Sequence, residues 1–241
     1  MWVMTRSQTP LLAELHAHTT WSDGEFSIPE LVELYGHAGF DVLAVTDHVV
    51  RRAEGLHVRA ENFSAYLAEI DAEAERAAHQ FGLVLVPGLE LTVEDEDPRR
   101  AGHAVAVGLR RFVGIDDGLD EALRQARAAG AALIGAHPYT LDRALSATRV
   151  TARFSEEPEW AADALDRFEL LNRDDVFGWV AERKLPAVAS GDFHRLEHLA
   201  SWKTVIGCAK EELAVIEELR SGRPCALTRV EQARRATRRV A

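Results

Sequence analysis

Short apolar runs and amphipathic stretches take turns along the chain. Leu11, Leu12 and Leu15 form a first apolar run that predicts a short buried strand. Ser27-Ile28-Pro29-Glu30 then reads as a helix start, with Ser27 placed to cap, Pro29 in the first turn and Glu30 suited to the helix dipole. Residues 41–46 are apolar on both faces, as in a strand covered on both sides. Phe63, Leu67, Ile70, Ala74 and Ala77 recur at helical spacing, with acids between them, and predict a long helix over 61–81. The same reasoning predicts strands at 83–91, 104–109, 131–136, 167–172, 186–191 and 204–207. Further helices are predicted at 118–130, 159–166, 174–184 and 210–221. Residues 141–158 are the least regular and read as a loop with short helical pieces. Residues 1–228 read as one domain and 229–241 as a basic, helical surface tail.

Strand and helix alternate about seven times, which implies an α/β fold with a parallel sheet. Closed into a barrel, such a sheet brings the C-terminal end of every strand to one rim. Polar residues collect at those ends. His16 and His18 are two apart, so on an extended chain their imidazoles share a face and can grip one metal ion. Asp23 follows in a loop that Gly24 frees to turn. His48, Glu90, His137, Asp192 and His194 close later strands. His103 is the exception, because it precedes its apolar run; it can still reach the rim if the acidic loop 94–98 folds back.

Composition narrows the reading. The chain has 241 residues, a net charge of −11 and ten histidines. The acidic balance argues against a general nucleic-acid binder, which is usually basic. No apolar run approaches the ~20 residues that cross a bilayer. The N-terminus lacks a signal-peptide layout, so a cytoplasmic protein without membrane attachment is expected. Cys208 and Cys225 form no metal-type pair and read as reduced thiols.

Taken together, His16-Ala17-His18, Asp23, Thr46-Asp47-His48, Gly88-Leu89-Glu90, Gly102-His103, Ala136-His137-Pro138 and Ser190-Gly191-Asp192-Phe193-His194 resemble the polymerase and histidinol phosphatase (PHP) superfamily. Their order and approximate spacing agree over residues 14–194. The resemblance implies an irregular (β/α)7 barrel with a three-metal site at the C-terminal rim of the strands. It implies one ion on His16, His18, Glu90 and Asp192, a second on Glu90, His103 and His137, and a third on Asp23, His48 and His194. Two to three divalent ions per chain are expected. Nitrogen and oxygen donors suit manganese, zinc or iron alike. Phosphate-ester hydrolysis by metal-activated water is the implied chemistry. Asp192 or His194 is expected to pass a proton to the leaving group, and Asp47 to orient a ligand histidine.

The substrate side is thinner. Arg195 and His198, nearest the last motif, are the first candidates to grip a phosphate, followed by Arg51 and Arg173. A small phosphorylated metabolite or a nucleotide is the expected partner. Only residues 104–136 separate His103 from His137, so the extra domain common in nucleotide-cleaving relatives is expected to be missing. One rival reading is an exonuclease acting on a strand end, with Trp21, Phe193 and Trp202 as stacking platforms. Another is a metal-stabilised binding module without catalysis.

Overall fold

The structure is a computed structural model that describes residues 10–51, 56–144 and 151–231. In chain order the first elements are β1 (Leu11–Glu14), α1 (Ile28–His37), β2 (Val42–Val45), β3 (His48–Val50), α2 (Phe63–Phe81), β4 (Val84–Val93) and β5 (Gly102–Val107). Then come α3 (Leu119–Ala128), β6 (Ala132–Ala136), α4 (Leu141–Ala144), α5 (Arg153–Glu156), α6 (Pro158–Ala164), β7 (Arg167–Asn172) and β8 (Asp175–Val176). The last are α7 (Gly178–Glu182), β9 (Ala187–Ser190), β10 (Trp202–Ile206), α8 (Glu212–Arg220) and β11 (Ala226–Arg229).

One sheet runs β11-β10-β1-β2-β4-β5-β6-β7-β8, with β3 added on β4 and β9 on β7. It curls until β9 returns to β10, where Thr204 Oγ1 accepts from Ala189 N at 2.9 Å and donates to Ala189 O at 2.7 Å. Beyond the strand ends, a parallel bridge pairs Ala17 with Phe193. The α/β class and the barrel-like curl match the expectation. The pairing is mixed, however: β1–β2, β2–β4, β6–β7 and β7–β9 are parallel, while β4–β5, β5–β6 and β1–β10 are antiparallel.

The strand pleat explains the burial. Leu43 and Val45 face the helices, packing in one cluster with Leu31 and Tyr35 of α1, Tyr66 and Ile70 of α2 and Leu123 of α3. Val42 and Ala44 face the other way, into a second cluster with Leu15, Val105, Ile134 and Val188. Val215, Ile216 and Leu219 of α8 belong to that second cluster and cover it. Arg167, fully buried, fastens α8: its guanidinium donates to Leu219 O at 2.8 Å, Glu218 O at 2.9 Å and Arg223 O at 2.8 Å. Those carbonyls lie at and just beyond the helix's C-terminal end, where acceptors lack partners of their own.

Some elements differ from the sequence reading. The expected helix over 174–184 begins as β8, antiparallel to β7, and only 178–182 is helical. Ala226–Arg229, at the expected start of the tail, is strand β11 on β10; residues 232–241 lie outside the described residues. Among the described residues no helix is long and apolar enough to cross a membrane.

Candidate metal centre

The parallel bridge sets the site. His18 N donates to Phe193 O at 2.8 Å and Phe193 N donates to His16 O at 3.0 Å. This zips the first motif against the last, so His16 and His18 stand beside Asp192 and His194. Two glycines admit the close approach: a Cβ on Gly24 would strike the His18 carbonyl, and one on Gly191 would strike Lys203 and Glu14. Gly24 is therefore needed for space and not for an unusual dihedral.

Glu90 lies at the centre, fully buried. Its Oε2 is 3.5 Å from both His16 Nε2 and His18 Nε2 and 2.7 Å from His48 Nδ1. Its Oε1 is 3.3 Å from His103 Nδ1 and 3.2 Å from His137 Nε2. Asp192 Oδ1 stands 3.6 Å from His16 Nε2 and 3.4 Å from His18 Nε2. Asp23 Oδ1 lies 3.5 Å from His48 Nε2 and 3.2 Å from His194 Nε2. Donor atoms within 4.8 Å of one another form three groups: His16, His18 and Glu90; Glu90, His103 and His137; and His18, Asp23, His48 and His194. All nine residues singled out from the sequence as ligands thus take part in one constellation.

The β4–β5 hairpin explains His103. Because β5 runs antiparallel to β4, with Thr92 opposite His103, its N-terminal end lies on the same rim as the C-terminal end of β4. The acidic loop 94–98 lies in the reversal between Val93 and Gly102 that makes this pairing, so the chain folds back there as the sequence reading expects.

The electrostatics are those of a crowded cation site. Burial pushes His18 down to about 3, with His48 adding to the effect. Burial opposes charge on His48 too, but Glu90 and Asp23 outweigh it and raise His48 to about 9. Burial would lift the carboxyls of Glu90 and Asp192, yet His48 and His16 hold the first, and His16 and His18 the second, well below the ordinary carboxylate range. Glu90 Oε2 and His103 Nδ1 are buried without a hydrogen-bond partner, which is costly unless something else binds them. Anionic and imidazole donors with unused lone pairs fit divalent metal ions.

The backbone is bent here as well. His137, Arg173 and Asp192 hold φ of 27°, 52° and 41°, a region costing roughly 1–3 kcal/mol for residues other than glycine. Such strain persists where surrounding contacts over-determine it, and these residues meet at the rim.

The sequence profile of the PHP domain family matches residues 14–168. This chain belongs to the PHP domain family. A two-domain protein of Bacteroides vulgatus, described as containing a predicted PHP-like metal-dependent phosphoesterase, superposes with a TM-score of 0.68 at 20% identity, over 93% of this chain and 66% of its own. An amidohydrolase of Chromobacterium violaceum, with bound sulfate and no metal, superposes with a TM-score of 0.53 at 16% identity, over 76% of this chain and 87% of its own. The DNA polymerase/3'-5' exonuclease PolX of Bacillus subtilis is 44% identical over 61 residues, which are 24% of this chain and 10% of PolX.

Beside the PHP motifs, a cleft of about 300 Å³ is lined by Asp23, Glu25, Arg173, His194, Arg195 and His198. Arg195 is exposed and its Nε lies 3.3 Å from His198 Nε2. His198 Nδ1 accepts from His194 N at 3.1 Å, and burial with Arg173 nearby brings this imidazole down to about 4. Arg173 is largely engaged: it donates to Asp192 O at 2.7 Å and pairs with Asp192 Oδ2 at 2.9 Å. Arg51 donates to Asp116 O at 2.5 Å and does not line this cleft.

Three readings of side chains change. Asp47 bonds no imidazole. It accepts from Thr19 N at 2.8 Å, Thr19 Oγ1 at 2.8 Å and Ser22 Oγ at 2.6 Å, and so braces the turn that carries Asp23. Phe193 is fully buried between Phe26 and Tyr35, so it offers no stacking surface. Trp21 packs edge-on against Tyr66 and donates to Glu69 at 2.8 Å. One residue was missed. Glu169, in β7, lies 2.9 Å from His16 Nδ1 and is 1% exposed. Its only signal was a charge inside the apolar run Phe168-Glu169-Leu170-Leu171, where an ion needs partners.

Proposed function

We propose that this PHP protein hydrolyses a phosphate monoester of a small metabolite or a nucleotide, using up to three divalent ions of manganese, zinc or iron. The observation that carries the reading is the sharing of Glu90 among His16, His18, His48, His103 and His137. In this reading His16, His18, Glu90 and Asp192 hold one ion, Glu90, His103 and His137 a second, and Asp23, His48 and His194 a third. Bound ions would supply an acidified water and positive charge against the phosphoryl oxygens. Arg195, exposed at the cleft, clamps the phosphate, and His198 orients it. Arg173 holds Asp192 in its bent conformation. His194 Nδ1 faces Asp192 O at 2.9 Å and its Nε2 is assigned to the third ion, so with that ion bound neither His194 nor the Arg173-paired Asp192 has a proton to hand to the leaving oxygen.

The described lining of the cleft includes no Trp, Tyr or Phe, and with the net charge of −11 this argues against an exonuclease that stacks bases. The test is release of inorganic phosphate from aryl phosphates, phosphorylated metabolites and nucleotides by metal-stripped protein reloaded with Mn2+. Metal-dependent release is expected. Bound metal with no release from any ester would replace the enzyme by a binding module.

A further inference from the structure

Glu169 accepts at both oxygens. Oε1 lies 2.9 Å from His16 Nδ1 and also takes the Ser190 hydroxyl. Oε2 takes His137 N at 2.6 Å and Asn172 Nδ2 at 2.7 Å. One buried carboxylate therefore ties together the ends of β1, β6, β7 and β9. The opposite nitrogen of His16, Nε2, faces Glu90 and Asp192 at 3.5 and 3.6 Å. A neutral imidazole can ligate through only one nitrogen, and the hydrogen bond made by the other decides which. An ionised carboxylate can only accept, so it keeps the proton on Nδ1 and leaves the Nε2 lone pair free. The same group receives the N–H of His137, whose φ of 27° needs outside support.

We propose that Glu169 is a positioning residue for the metal centre, fixing the ring of His16 with its Nε2 lone pair inward and pinning the bent backbone of His137. The proposal rests on the metal-dependent reading above. Glu169→Gln separates it from a merely structural role. Glutamine keeps the shape but has one oxygen and one NH2. The N–H of His137 cannot turn round, so the oxygen stays with it and the NH2 faces His16. His16 then accepts at Nδ1 and carries its proton on Nε2, where it blocks the metal.

The experiment titrates Mn2+ alone into metal-stripped wild-type and Glu169→Gln protein, and records the imidazole N–H signals of the zinc-loaded forms. The expected result is affinity lower by roughly 10–100-fold, with the His16 Nδ1–H signal lost and the metal-free unfolding midpoint kept. Affinity within about twofold of wild type, with that signal kept, overturns the role of Glu169 and leaves the enzyme reading standing. No Mn2+ binding by wild type overturns both. If Glu169→Gln does not fold, Glu169→Asp carries the test: it keeps the charge but withdraws it by one methylene. Weaker Mn2+ binding supports the proposal and wild-type affinity overturns it.

Discussion

Two buried glutamates near the rim have opposite surroundings. Glu14 and Glu90 are both fully buried. Glu14 is complete: Lys203 Nζ lies 2.5 Å from Oε2, the Tyr35 hydroxyl donates to Oε2 at 3.1 Å, and Gly191 N donates to Oε1 at 2.9 Å. Lys203 is itself held by Ser201 Oγ at 2.8 Å and His198 O at 3.2 Å. Glu90 is incomplete, ringed by imidazoles, with Oε2 lacking any hydrogen bond. A satisfied buried charge builds the scaffold, whereas an unsatisfied one ringed by ligand-type side chains is poised for a cation.

The contrast breaks most visibly at Glu90. Glu90→Gln should leave the fold intact and cut phosphate release by more than ~1000-fold, about 4 kcal/mol of barrier, with metal content falling alongside. Turnover and mass-spectrometric metal counts check it; full turnover would erase the distinction. Next comes Lys203→Met, which strands the Glu14 carboxylate. It should cost about 3–5 kcal/mol in urea unfolding, while molecules that remain folded keep their metal. A stable Lys203→Met protein that has lost its metal would mean that the two glutamates are not separate in role.

Metal removal sharpens the comparison through pH. His48 is raised from an ordinary 6.5 to about 9 in the metal-free fold. That stabilisation is fully present below about pH 6.5 and is lost as pH climbs through about 9. Metal-stripped protein should therefore unfold at lower urea at pH 9.5 than at pH 6.5. Mn2+ affinity should move oppositely, rising up to about tenfold per pH unit for each proton displaced. A flat affinity profile over this window would remove His48 from the centre. The smallest effect is reserved for Arg195→Ala: KM for a phosphate ester should rise about tenfold, the worth of one charge-assisted contact, with bound metal unchanged.

Much of the centre was legible because ligands at strand ends need only the right residue at the right place in a repeating pattern. His16, His18, His48, Glu90, His137, Asp192 and His194 were placed at the rim that way, while Asp23 and the grouping of ligands came with the PHP resemblance. His103 was found by motif and expected at the rim through a folding back of the acidic loop, but the hairpin pairing of β4 with β5 that delivers it is a tertiary fact that apolar periodicity does not carry. β8 and β11 escaped for the same reason: they are short and owe their extended form to the partners they pair with. Glu169 was hidden because its partners, His16, His137, Asn172 and Ser190, come from four strands. The exposed arginines were hardest, as guanidinium position depends on contacts such as Asp192 to Arg173 that spacing cannot supply.

The bridge between residues 17 and 193 also governs when the centre can exist. Glu14 and Gly191, on the two zipped segments, are 177 residues apart in the chain. Closing a loop of that size is slow and comes after local elements have formed. During synthesis, a half-emerged chain would carry the opening imidazoles with no aspartate to meet them. In the proposed reading, completing the site of His16, His18, Glu90 and Asp192 would thus be a late checkpoint of maturation, passed only after the closing third of the polypeptide has docked.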